Sequence, residues 1–143
     1  MAASPISKIL TSLSQNNEPV HISGLEGTSA GYLLNRLITE SKQMRTLVVC
    51  STEDRATELH QNFLTFQQTL FGSERRNAPE SRVLPQWEQN PTSAIQPSIR
   101  VQFERMRVLG SLLSAPTRNI IFSTNEALSQ RIPNLKTDRK SVV

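Results

Sequence analysis

Four short apolar runs, each followed by a segment of helical spacing, constrain this chain more than any other feature. The runs are Val20-His21-Ile22, Leu47-Val48-Val49-Cys50, Val83-Leu84 and Ile120-Ile121-Phe122. An uninterrupted run such as Leu47 to Cys50 suits a parallel strand covered on both faces, and the intervening helices supply the crossovers that parallel strands need. The alternation predicts an α/β fold, a parallel sheet flanked by helices, with ligands expected beyond the carboxyl ends of the strands. At 143 residues there is room for one such domain and not for a two-lobed motor.

The helical segments carry their own punctuation. Residues 6–14 read as a short helix, and Gln15 to Pro19 as a loop before the first run. From Ala30, apolar residues recur at Leu33, Leu34, Leu37 and Ile38. Ser51 and Thr52 are candidate N-caps, Glu53 and Asp54 suit a first turn, and Ala56, Leu59, His60, Phe63 and Phe66 form one stripe that fades near Phe71-Gly72. Residues 72–81 read as a surface loop, and Pro85 to Pro97 as an irregular segment because prolines interrupt it. From Ser98, the positions Ile99, Phe103, Met106, Gly110 and Leu113 repeat at intervals of four and three, an amphipathic helix that Pro116 stops. Ser123-Thr124-Asn125-Glu126 has the form of a capping box, opening a helix with Ala127 and Leu128 inside that ends before Pro133. No internal repeat is present.

Hydrophobic residues make up 36% and charged residues 20%, the balance of a folded rather than a disordered chain. A net charge of +4 is compatible with nucleic acid nearby but falls short of a dedicated basic module. The single Cys50 excludes an internal disulfide and a thiolate metal cluster, and within its apolar run it reads as a small core residue. Met1 to Leu13 contains one Lys8 and no continuous apolar stretch, so neither a secretory signal nor a membrane span is expected, and a cytoplasmic location follows.

Chemistry is expected first at Gly24-Leu25-Glu26-Gly27-Thr28-Ser29-Ala30-Gly31, which lies between a strand and a helix where a phosphate-binding loop belongs. A working loop reads Gly-x-x-x-x-Gly-Lys-Ser/Thr: backbone N–H groups cradle the phosphate, the lysine neutralises its oxygens and the hydroxyl holds magnesium. Here the last three positions are Ser29, Ala30 and Gly31. Losing two charge-assisted contacts of roughly 1.5 to 3 kcal/mol each weakens triphosphate binding by on the order of hundreds to ten-thousandfold. A weakly held anion near Gly27 and Thr28, or simply a tight strand-to-helix turn, remains.

Other candidates read as structural. Thr28, Ser29 and Thr124 lack a base and an orienter visible in the sequence, where His21 and His60 are the only histidines. His60 falls on a helix stripe and suits a core boundary better than a metal. Trp87-Glu88 could offer a stacking platform, yet aromatic residues are too sparse for a single-strand binder, and an anchor for the loop is expected. Arg100, Arg105 and Arg107 with Glu104 make a charged helix side, and Arg75-Arg76 a local basic spot.

Several of these segments, in order, resemble the first domain of the bacterial transcription-repair coupling factor, a RecA-like, P-loop-type domain related to the first domain of the excinuclease B protein. They are the lysine-less phosphate loop, Leu47 to Ser51 followed by Arg55 to Leu59, Leu84-Pro85-Gln86-Trp87-Glu88 with Pro91, the helix with Arg105-Met106, and Ala127-Leu128-Ser129-Gln130-Arg131-Ile132-Pro133. The likeness spans roughly residues 18 to 133 and is most specific at Trp87, Glu88, Pro91 and Arg105. It departs where Thr92 and Ser93 stand in place of the family's tyrosine and acidic residue. The resemblance implies a non-catalytic lobe, a scaffold for recruitment of the excinuclease A protein through the following domain and for autoinhibition. The parent protein that the resemblance implies is an ATP-dependent DNA translocase that displaces stalled RNA polymerase. No cofactor is implied for this chain itself; ATP and magnesium belong to the parent's motor module, and contacts with RNA polymerase and DNA to other modules.

Residues 1–17 are then an N-terminal extension, 18–133 the degenerate P-loop domain and 134–143 a tail. Asp138 to Val143 continues no pattern and matches a translated sequencing adapter, so a truncated reading frame is expected. Two other readings compete with the family one. One is an active P-loop ATPase or helicase lobe related to the excinuclease B protein, and the other a small basic nucleic-acid-binding module using Arg75, Arg76, Arg100 and Arg107.

Overall fold

The computed structural model describes residues 5–15, 19–41, 45–71, 78–87, 98–113 and 118–130. In chain order these form α1 (Pro5–Gln15), α2 (Ser29–Glu40), β1 (Arg45–Cys50), α3 (Glu53–Phe71), β2 (Glu80–Val83), α4 (Ile99–Leu113), β3 (Asn119–Thr124) and α5 (Asn125–Ser129). The fold is mixed α/β, with a three-stranded parallel sheet in the order β1-β3-β2 flanked by helices. Thr46 pairs with Ile120 and Val48 with Phe122 on one side of β3, and Ser81 with Ile120 and Val83 with Phe122 on the other. All six residues of β3 are buried.

Two cores follow from the pleat. Alternate β3 residues Ile120 and Phe122 meet α2 and α3 through Ile38, Ala56 and Phe63, with Val48 and Cys50 of β1 packed alongside. On the opposite face Ile121 meets Leu84 and Val108, with Leu112 of α4 against them. The expected α3 stripe of Ala56, Leu59, His60, Phe63 and Phe66 does face inward, and Thr52 caps that helix by accepting a hydrogen bond from the Arg55 N–H at 3.2 Å.

The edge of the sheet where the strands begin is held by side-chain donors. Arg118 donates to the carbonyls of Ile38 and Ser41 at the end of α2, Arg45 to Leu112 O at 3.1 Å and Asn119 to Ser111 O at 3.3 Å at the end of α4. Each satisfies carbonyls that a helix C-terminus leaves without an intrahelical partner.

Several expectations need correction. Val20 to Ile22 does not form a strand; the segment from His21 to Thr28 is exposed and joins no ladder of the sheet. β1 is covered on one face only, because α4 packs on Ile121 of β3 and on Leu84 beyond β2 and leaves Leu47 and Val49 each 54% exposed. β2 begins at Glu80, inside the segment expected to be a loop, since a parallel edge strand needs only one ladder and tolerates polar residues. The cap of α5 is Thr124, whose hydroxyl accepts from Ala127 N–H at 3.1 Å, while Ser123 is buried and bonds to the Leu84 carbonyl. Leu128, expected inside, is exposed. The expectations for Arg75-Arg76, Glu88, Pro91 and the tail from 134 lie outside the described residues.

His60 links α3 to β2. Its Nε2 lies 3.0 Å from Ser81 Oγ and its ring packs on Phe122 with centroids 5.1 Å apart. Burial lowers its pKa below the ordinary value, with the hydrogen bond to Ser81 acting the other way. A lowered folded pKa means that the unfolded chain takes up the proton first as pH falls. The His60 contribution is therefore complete above about pH 6.5 and is lost between there and the lower folded value. Urea midpoints compared at about pH 7.5 and 5.5 should fall less for His60→Gln than for the parent, and equal falls would exclude this assignment.

Candidate functional site

The turn before α2 has the backbone of a strand-free loop closing on a helix. Gly24 and Gly27 adopt positive φ, 77° and 54°. Ser29 turns both of its donors onto one atom: its N–H reaches Glu26 O at 3.1 Å and its hydroxyl reaches the same oxygen at 2.6 Å. The N–H at the position of the loop's second glycine is thus used within the turn. Thr28 is the N-cap residue in helical conformation and makes no side-chain cap bond.

Gly31, where the phosphate loop expected from sequence would carry its metal-binding hydroxyl, has surroundings that leave no room for a larger residue. A Cβ built on it would lie 2.8 Å from Asn62 Cβ and 3.3 Å from the Phe63 nitrogen. The glycine is the point where α2 and α3 approach, reinforced by the buried Asn35 donating from Nδ2 to Phe63 O at 3.3 Å and by Tyr32 meeting Phe66 edge-on at 5.5 Å. Ala30, at the lysine position, is half-buried. Of the loop residues singled out from sequence, Gly24, Gly27, Thr28 and Ser29 belong to an exposed or half-exposed turn, whereas Gly31 belongs to a helix crossing.

A second cluster gathers at the carboxyl ends of β2 and β3. Arg105 is 4% exposed. Its guanidinium donates to Pro85 O at 2.6 Å, Gln130 Oε1 at 3.1 Å and Ala127 O at 3.3 Å, and lies 5.8 Å from the Trp87 ring centroid. Gln130 Oε1 also accepts from Trp87 N–H at 2.8 Å, and Thr124 Oγ1 lies 3.3 Å from Gln86 Oε1. The guanidinium fork thus ties the segment after β2, the middle of α4 and the end of α5 together, and burial lowers its pKa. Trp87 is half-buried with its indole N–H enclosed and without a partner among the described residues. Residues 43 positions apart are brought together here, and Gln130, a member of the cluster, carried no sequence signal beyond its place in a resemblance.

The arginines do not form one face. Arg105 points into the cluster, while Arg100 and Arg107 are exposed. The expected inward stripe of α4 is also reversed. Arg105 and Val108 are buried with Val101 and Leu112 beside them, and Ile99, Phe103, Met106 and Leu113 are exposed. Among the described residues no group of three His, Cys, Asp or Glu side chains is placed to hold a metal ion, and no helix is long and apolar enough to cross a membrane.

No family model, no curated protein and no solved structure matches the chain.

Two substitutions test these placements. Gly31→Ala should destabilise the fold by about 1–3 kcal/mol through overpacking, read as a lowered urea midpoint. Arg105→Lys keeps the charge but cannot reach three acceptors from one ammonium, and should cost about 2–4 kcal/mol. An Arg105→Lys variant as stable as the parent would remove the fork from the account.

Proposed function

We propose that this chain is a non-catalytic supporting lobe of a transcription-repair coupling factor, RecA-like in ancestry, whose phosphate loop has been given over to packing. The observation that carries the non-catalytic part is Gly31: where a hydroxyl must hold magnesium, α3 leaves no room even for a Cβ. A nucleotide at this turn would also find no lysine and would compete with the Glu26 carbonyl for the Ser29 donors. Without cation and metal ligand, positioning and charge stabilisation of a transferring phosphoryl group are lost.

The family part of the reading rests on the segments quoted from the sequence and is supported by the way Pro85, Trp87, Arg105, Ala127 and Gln130 interlock. In this reading the lobe scaffolds recruitment of the excinuclease A protein by the domain that follows it and restrains the parent in an inactive arrangement. ATP, magnesium, DNA and RNA polymerase are handled by the parent's other modules, in the cytoplasm.

A chimera tests it. Residues 18–133 replacing the first domain of an intact coupling factor should leave DNA-dependent ATPase activity, polymerase displacement and excinuclease recruitment within a few-fold of the parent. The isolated chain should show no magnesium-ATP binding by calorimetry at about 1 mM ligand. A folded chimera that loses recruitment, or turnover of ATP by the isolated chain, would overturn the proposal.

A further inference from the structure

We infer that the outward face of α4 is a docking surface for an amphipathic helix with acidic borders. Ile99, Phe103, Met106 and Leu113 are 72%, 71%, 56% and 65% exposed. With Gly110 they repeat at intervals of four, three, four and three, the spacing of a coiled-coil seam, and lie on the side of the helix opposite Val101, Arg105, Val108 and Leu112. A helix apolar on two opposite sides is built to be covered on both. The sheet covers one, and four large apolar side chains in a single row exceed the scattered exposure normal for a surface.

The borders of the row select the partner. Arg100 and Arg107 stand two turns apart along one border, both exposed, and neither has an ion pair among the described residues; Glu104 offsets only part of that charge. Gln102 and Leu109 follow the other border. Gly110 leaves space in the row, since a Cβ built there meets nothing within 4 Å, which lets a large side chain of a facing helix enter as a knob. A second copy of α4 is a poor occupant: laid antiparallel it sets Arg100 against Arg107 of the other copy, and laid parallel it sets both against uncharged residues. Glutamates or aspartates bordering an apolar row satisfy both arginines.

This surface does not depend on the phosphate turn or on the family reading, and its test needs neither nucleotide nor parent protein. The probe is a fluorescein-labelled three-heptad helical peptide with leucines at the same spacing and glutamates on both borders, compared with a peptide bearing lysines instead. Anisotropy should show the glutamate peptide binding at least about tenfold more tightly than the lysine peptide. Phe103→Glu should weaken binding about tenfold or more, and Arg100→Glu with Arg107→Glu should reverse the preference between the peptides. Thermal melts verify folding, and Ile99→Glu replaces Phe103→Glu if the latter does not fold. Equal binding of both peptides, binding insensitive to residue 103 or 99, or a sedimenting dimer that depends on Phe103 and excludes the peptide would each overturn the inference.

Discussion

Parallel pairing on both sides of β3 is the constraint from which the remaining geometry follows. Because β3 is paired to β1 over Asn119 to Thr124 and to β2 over Asn119 to Phe122, and is buried throughout, its odd and even residues must each have a helix layer, and the two cores form on opposite faces of one strand. Phe122 takes Phe63 and His60 on one side, and Ile121 takes Val108 on the other. Removing β3 would leave β1 and β2 with no shared ladder, and the helices with no common surface.

Polar groups finish what the apolar layers begin. Arg118 and Asn119 sit at the start of β3 and close the ends of α2 and α4, while Ser123 and Thr124 at its end bond toward Leu84, Gln86 and Ala127. Arg105 then links the segments beyond that end. Among the described residues its hydrogen-bond partners are carbonyl and amide oxygens, and the guanidinium is held by its planar fork and by the face of Trp87.

Much of this is legible in the residues. The buried run Ile120 to Phe122 and the α3 stripe carry strong period and composition signals and appear in the fold, and the strand-helix alternation appears from β1 onward. The orientation of α4 is hidden for a physical reason: its most apolar row is the outer one, and its inner row contains an arginine, which hydropathy scores as surface although neighbouring carbonyls satisfy it. Val20 to Ile22 resembles a strand by composition, but strands are made by ladders, and this segment joins none. In the turn before α2 the absence of a lysine can be read directly, whereas the reason for Gly31, α3 pressed against it at Asn62 and Phe63, needs the fold to be seen.

The uncovered side of β1 has a consequence for handling the protein. Among the described residues β1 pairs only with β3, and no strand among them takes up its other edge along Thr46-Leu47-Val48-Val49-Cys50, an uncharged stretch rich in β-branched residues with no proline. Arg45 is the one charged residue within β1. Concentrated solutions should therefore be prone to strand-to-strand aggregation seeded at this edge, and a lysine on its solvent side would act as a gatekeeper without touching either core.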